Sequence, residues 1–219
     1  MEVVRGKQII QVDGQVLRDA ADRAERVLVD LGTGNGRWIY GVARRFPKWF
    51  CIGIDANARG MREVSSRADR KPARGGAENV WFVRRAVEAL PDGLERLADE
   101  IYIHFPWGSL LQAIYKPELS TLTRIAQLGK RRASLMVRIN TSILDDPTVC
   151  TRLELPLPGP DARSRLDHTY AMAGIRLTAV RTLDEAPLTA WGRRLTSGHS
   201  GLVLVLDGIV IDPADSIIG

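Results

Sequence analysis

Short apolar runs alternate along this chain with longer stretches in which apolar residues return every three or four positions. That rhythm is the one produced by buried strands joined through amphipathic helices. It predicts a short hairpin at the start, turning at Arg5-Gly6-Lys7, and a first core strand over Arg26-Val27-Leu28-Val29-Asp30-Leu31. A glycine-rich turn then leads into a helix through Trp38, Ile39, Val42, Ala43 and Phe46. Phe50-Cys51-Ile52-Gly53-Ile54 predicts a second, fully buried strand. A basic helix follows and is expected to end near Lys71-Pro72, because proline disfavours helical backbone in the residue before it. Arg74-Gly75-Gly76-Ala77 reads as loop, and strands three to five are expected over Asn79 to Val83, Glu100 to Phe105 and Ser134 to Ile139. The helix before the fifth strand carries Pro117 early, where a missing N–H costs little. Residues 141–160, rich in Pro, Asp, Thr and Gly, read as a long connection. A helix from Ala162 to Ala173, a strand from Arg176 to Arg181, a loop from Asp184 to Thr196 and a last strand from Gly201 to Val205 complete the pattern. The fold class expected is α/β, a seven-stranded, mostly parallel sheet with helices on both faces.

A length of 219 residues suits one domain over 1–219, with the N-terminal hairpin and two substrate loops, about 141–166 and 184–196, as decorations. No stretch approaches a membrane span, and Met1 to Arg5 carries no signal-peptide pattern. Cys51 and Cys150 stand alone, without CxxC spacing or a histidine cluster. A reduced, cytoplasmic protein without metal is therefore expected, and a monomer is expected besides. The net charge of +5 matters less than its distribution. Arg59, Arg62, Arg67, Arg70, Lys71 and Arg74 lie close together against only Glu63 and Asp69, and Arg84-Arg85, Lys130-Arg131-Arg132 and Arg193-Arg194 add further clusters. Folded onto one face they would form a footprint for phosphate; scattered, they are solvated helix faces.

Chemistry enters at Asp30-Leu31-Gly32-Thr33-Gly34-Asn35-Gly36, between a buried strand and a helix. Glycines there permit a tight turn and let a ligand approach backbone that a Cβ would shield. The dinucleotide fingerprint G-x-G-x-x-G, begun at Gly32, needs glycine where Arg37 stands, so a methionine-derived cofactor fits better than a pyrophosphate-bridged one. Asp55 ends the second strand, 19 residues beyond Gly36, where an acceptor-only carboxylate can take both hydroxyls of a ribose. Glu88, in Ala86-Val87-Glu88-Ala89-Leu90-Pro91 after the third strand, falls where an adenine would lie. Taken singly, a glycine turn or a helix-capping aspartate means little. In this order, at consecutive strand ends, they point to S-adenosylmethionine and to a class I methyltransferase.

The fourth strand runs out in His104-Phe105-Pro106-Trp107-Gly108-Ser109-Leu110-Leu111. Ligands of doubly wound sheets sit outside the carboxyl ends of the strands, which makes Trp107 a candidate stacking platform. Trp191 would supply a second ring, and two aromatic faces hold a flipped base, with stacking worth roughly 1–3 kcal/mol per base. Trp38, Trp49 and Trp81 fall inside helix and strand patterns and read as packing residues. His104 reads as a packed, hydrogen-bonded strand residue in preference to a general base.

Asp30 to Gly36, Gly53-Ile54-Asp55-Ala56, Phe105 to Leu111 and Thr189-Ala190-Trp191-Gly192-Arg193-Arg194-Leu195 together resemble the aminoglycoside-resistance methyltransferases that modify N1 of adenine 1408 in 16S ribosomal RNA. Arg70-Lys71-Pro72-Ala73-Arg74-Gly75-Gly76 is similar to that family's basic Pro-Ala-Lys-Gly-Gly loop. The likeness runs in register from about Val4 to Leu206 and is weakest from Thr141 to Leu166. It implies that Asp30, Gly32, Thr33, Gly34, Gly36, Asp55, Val87, Glu88, His104, Phe105, Pro106, Trp107, Thr189, Ala190 and Trp191 surround S-adenosylmethionine and the target base. By the same resemblance Trp107 and Trp191 sandwich the adenine, while Arg67, Arg70, Lys71, Arg74, Arg193 and Arg194 grip 16S rRNA of the 30S subunit. His199 departs from the family's basic residue and holds less charge at neutral pH. Two rivals remain at this level. A transfer-RNA guanine-N7 methyltransferase has a similar glycine motif and a strand-four Phe-Pro-x-Pro-Trp, but here Pro106 is followed at once by Trp107. A non-catalytic RNA-binding protein with a retained methyltransferase fold is the other.

Overall fold

The computed structural model describes residues 1–90, 93–141, 143, 146–154, 162–184 and 202–211. Its strands are β1 (Glu2–Arg5), β2 (Gln8–Gln11), β3 (Arg26–Leu31), β4 (Trp49–Asp55), β5 (Val80–Arg84), β6 (Ala98–His104), β7 (Gly129–Asn140), β8 (Ile175–Asp184) and β9 (Leu202–Val210). They join one sheet in the order β2-β1-β5-β4-β3-β6-β7-β9-β8. The five central strands are parallel and the two outer pairs antiparallel. The sequence pattern predicts seven strands; the described residues hold nine, because the N-terminal hairpin pairs β1 with the edge of β5 through Val3 and Val83. An open β5 edge would leave a row of unpaired backbone groups, and the hairpin covers it.

Helices cover both faces. On one, α2 (Arg37–Arg45) and α3 (Ala58–Ala68) bury Ile39, Ala43, Met61 and Val64 against Val4, Leu28, Cys51 and Phe82. On the other, α1 (Gly14–Asp22), α4 (Gly108–Tyr115), α5 (Leu119–Leu128) and α7 (Ala162–Met172) enclose the larger core, with Leu17, Leu111, Ile125 and Tyr170 against Val29, Ile101 and Val137. Trp38, Trp49 and Trp81 are half-buried packing residues, in keeping with their sequence positions; Trp49 stacks on Phe46 with ring centroids 4.3 Å apart.

Several boundaries differ from those the sequence pattern predicts. Helix α1 is not predicted by it, since only Leu17 and Ala21 of that helix are buried. The basic helix stops at Ala68, and a separate 3-10 turn over Pro72–Arg74 carries the chain past the proline. Pro117 lies between α4 and α5 instead of inside one helix, two residues ahead of Leu119. The long connection contains α6 (Pro147–Arg152), capped by Asp146, whose side chain accepts from the Thr148 and Val149 amides. Strand β9 runs on through Gly208 to Val210, paired residue by residue with β7 as far as Ile209.

The chain proceeds from β3 outward to β4 and β5, then returns to place β6 on the other side of β3. Such a reversal opens a crevice at the carboxyl ends of the two strands, and it is here that the sequence motifs meet.

Candidate cofactor and substrate site

The glycine turn leaves β3 with Gly32, Gly34 and Gly36 all at positive φ (71°, 58° and 67°), a region that residues with a Cβ rarely enter. Each glycine has a separate reason to lack a side chain. A Cβ on Gly36 would run into the Phe82 ring, and one on Gly32 would come within 3.0 Å of Leu110. At Gly34 no heavy atom lies within 4 Å, so that backbone faces open space. Thr33 donates from its hydroxyl to Asp30 at 2.5 Å and ties the turn to the strand. Asp55, at the end of β4, accepts from the Gly34 amide at 2.8 Å and from the Asn57 amide at 2.7 Å. Each carboxylate oxygen keeps a second lone pair, the complement of a vicinal diol.

These groups line a cavity of about 450 Å³, within the range of small-molecule sites. Gly32, Gly34 and Asp55 form one side, Val87 and Glu88 another, and Phe105, Pro106 and Trp107 the third. The open backbone at Gly34, the diol-ready carboxylate and the volume suit a nucleoside with an amino-acid arm. Phe105 has φ of 52°, a left-handed conformation that is costly for an aromatic residue and swings the chain sharply out of β6. The bend carries Trp107 to the rim, where it is 40% exposed.

Asp30, Thr33, Gly36 and His104 are not in the cavity wall. The first three build the turn from beneath. His104 is excluded by strand alternation: with Glu100 and Tyr102 it points to the α2 face, while Ile101 and Ile103 enter the opposite core. Its ring meets Trp38 edge-on with centroids 4.3 Å apart. Contrary to the expectation of a hydrogen-bonded histidine, neither ring nitrogen has a partner among the described residues. Burial, and then the neighbouring Arg138 charge, hold its pKa down at about 3. Asp30 moves the other way, to about 7, chiefly through burial, with the Thr33 hydroxyl opposing and the Asp55 charge adding to the rise. A neutral, enclosed imidazole of this kind is poorly placed to collect a proton from a substrate.

Sequence reasoning misses Asn57, Gly60, Arg85 and Ser109, which also line the cavity. Gly60 carries a signal: a Cβ there would stand 2.6 Å from the Gly34 carbonyl oxygen, so the first turn of α3 and the glycine turn can only touch through it. Arg152 is missed too; its guanidinium sits over the Trp107 ring, 5.6 Å from the centroid.

Of the basic residues expected to grip RNA, Arg67, Arg70, Lys71 and Arg74 lie together at the C-terminal end of α3 and in the turn after it. Arg67 lies 5.9 Å over the Tyr40 ring, and the Tyr40 hydroxyl donates to the Gly75 carbonyl, pinning the loop that carries Arg70, Lys71 and Arg74. Those three are exposed and have no acidic partner among the described residues. They occupy the far end of α3, whose 11 residues span roughly 16 Å from the cavity side. Thr189, Ala190, Trp191, Arg193, Arg194 and His199 lie outside the described residues. Among those described, no cluster of three or more His, Cys, Asp or Glu is suited to a metal, and no helix is long and apolar enough to cross a membrane.

Comparison with known proteins reaches the same chemistry from another direction. The profile of the NpmA family, 16S rRNA (adenine(1408)-N(1))-methyltransferase, matches residues 2–210. A relative of that name from Escherichia coli is 31% identical over 205 residues, 91% of this chain and 94% of its own. A variant of the 16S rRNA (adenine(1408)-N(1))-methyltransferase from Catenulisporales acidiphilia, solved with cosubstrate SAM, superposes with a TM-score of 0.88 at 34% identity, covering 97% of this chain and 98% of that one. The aminoglycoside resistance methyltransferase NpmB1 gives 0.86 at 33% identity, over 96% and 99%.

Proposed function

This chain belongs to the 16S rRNA (adenine(1408)-N(1))-methyltransferase family, and from that premise we propose that it works as a cytoplasmic monomer on the assembled 30S subunit, holding the target adenine against Trp107. It is an enzyme that transfers a methyl group from S-adenosylmethionine to N1 of adenine 1408, the modification that confers aminoglycoside resistance.

In this reading Asp55 binds the ribose hydroxyls, Glu88 stands by the adenine, and the open backbone at Gly34 lets the amino-acid arm pass. S-adenosylmethionine, when bound, supplies a methyl carbon on a positively charged sulfur, and the N1 lone pair of adenine displaces that sulfur without losing a proton. The protein therefore needs no general base. Its task is to keep N1, carbon and sulfur in line, and well-oriented intramolecular reactions gain roughly 7–11 kcal/mol from such positioning. Trp107, turned outward by the strained Phe105, would give the flipped base one face, and Trp191 the other. His104, buried and neutral beneath the site, contributes packing and no proton transfer.

The assembled particle is favoured over naked RNA by the distance between Arg70, Lys71, Arg74 and the cavity. Cations beyond the end of α3 that faces away from the cavity are suited to phosphates on a rigid RNA surface broad enough to touch both places. The observation that carries the whole reading is the meeting of Gly34, Asp55 and Trp107 around one cavity. Primer extension on 30S subunits treated with protein and S-adenosylmethionine is the test. A new stop at adenine 1408 is expected, with Trp107→Ala binding the cofactor normally by calorimetry but leaving no stop. Near-normal transfer by the Trp107→Ala, Trp191→Ala double variant would remove the sandwich, and methylation of an N7 position, which does not block the polymerase, would return the guanine rival.

A further inference from the structure

An exposed indole that must receive a base gains from being held still beforehand, since each side chain immobilised on binding costs free energy. Trp107 stands at the N-cap of α4 with no capping hydrogen bond from its own side chain, and 40% of its surface is open. What touches it is Arg152, the last residue of α6, with its guanidinium 5.6 Å from the ring centroid. The segment that delivers Arg152 is itself fastened to the helix that Trp107 begins. Gln112 of α4 donates to the Leu153 carbonyl at 2.8 Å, Leu153 is buried, and Lys116 faces Glu154 at 3.7 Å. Glu154 then ends the segment at φ of 49°, the left-handed geometry common just after a helix. Arg152 is exposed and has no carboxylate partner among the described residues, and its guanidinium lies over the ring face. Trp107 belongs to the cavity wall and Arg152 does not, which leaves the guanidinium outside the chamber.

We infer that Arg152 is a positioning residue for methyl transfer: docked through Gln112 and Leu153, it clamps the plane of Trp107 from outside, so that the opposite indole face is set for the target base before RNA arrives. This rests on the functional reading above, in which Trp107 is the base platform. Nothing in the clamp requires RNA, so it is present in the free protein. It also gives a use to a part of the 141–166 connection.

Two measurements test it. In RNA-free protein, the Trp107 indole resonance, identified by its loss in Trp107→Phe, should shift in Arg152→Ala while the resonances of Trp38, Trp49, Trp81 and Trp191 hold. In single-turnover methylation of 30S subunits, Arg152→Ala should slow transfer roughly two- to fivefold, the span of a solvent-exposed cation–ring contact. In the Trp107→Phe background, whose smaller ring weakens the contact, Arg152→Ala should slow it distinctly less. Affinity for S-adenosylmethionine should be the same for Arg152→Ala as for the wild type, and Arg152→Lys should recover part of the rate. Equal slowing in both backgrounds would overturn the clamp, because Arg152 would then be acting on the RNA itself. Failure of the wild-type protein to stop primer extension at adenine 1408 would sink the functional reading instead, and the RNA-free resonance would still report on the clamp.

Discussion

Asp30 on β3 and His104 on β6 project from neighbouring strands onto the face packed by α2, and burial moves them in opposite directions. Asp30, raised to about 7 from 3.8, holds its proton more tightly folded than unfolded. Its stabilising effect is complete below pH 3.8 and disappears as pH rises toward 7. His104, lowered to about 3 from 6.5, does the reverse: its effect is present above pH 6.5 and is lost as pH falls toward 3. Between these limits the two slopes cancel. Replacing His104 by Leu should expose the aspartate alone, so that stability relative to wild type falls by about 1.4 kcal/mol per pH unit from about pH 4 to pH 6.5. Urea unfolding of the cofactor-free protein checks this, and a difference independent of pH would mean that His104 titrates as it would in water. None of this is visible in the sequence. His104 looks like a member of the site because it adjoins Phe105, but strand alternation sends adjacent residues to opposite faces.

Elements are legible to the extent that they bury a continuous apolar pattern. Strands β3 and β4 are buried on both faces, and the sequence pattern marks them almost to the residue. Helix α1 shows the limit, with two buried residues in nine, and its one local signal is Asp13, which accepts from the Gln15 amide at 2.8 Å. If that cap anchors the helix, Asp13→Ala should lower the unfolding free energy by about 1 kcal/mol, while Asp13→Asn stays near wild type. Equal losses in the two variants would place the effect in charge and not in the cap. Helix α6 has the same kind of signal in Asp146-Pro147, hidden by the polar composition around it.

Across the described residues, the Arg70, Lys71 and Arg74 cluster and the cavity stand apart. The turn after α3 carries its cations at one end of that helix, and the cavity lies at the other. Changing Arg70, Lys71 and Arg74 together to Ala should weaken binding to 30S subunits and flatten its dependence on salt, by roughly 0.7–0.9 in logarithmic slope for each phosphate that is no longer neutralised. Calorimetry should find S-adenosylmethionine affinity unchanged. An unaltered salt slope in filter binding would place the docking surface elsewhere.

By itself the sequence determined the central strands, the glycine turn, Asp55 and the Pro106-Trp107 strand end, because each of these is a local pattern of backbone freedom, burial or charge. Only the tertiary structure decided which neighbours of those residues reach the cavity. Gly60, Arg85 and Arg152 stand outside the motifs, and contacts between separate segments depend on packing that no local pattern encodes. The same packing turned His104 away and set Arg152 over the Trp107 ring.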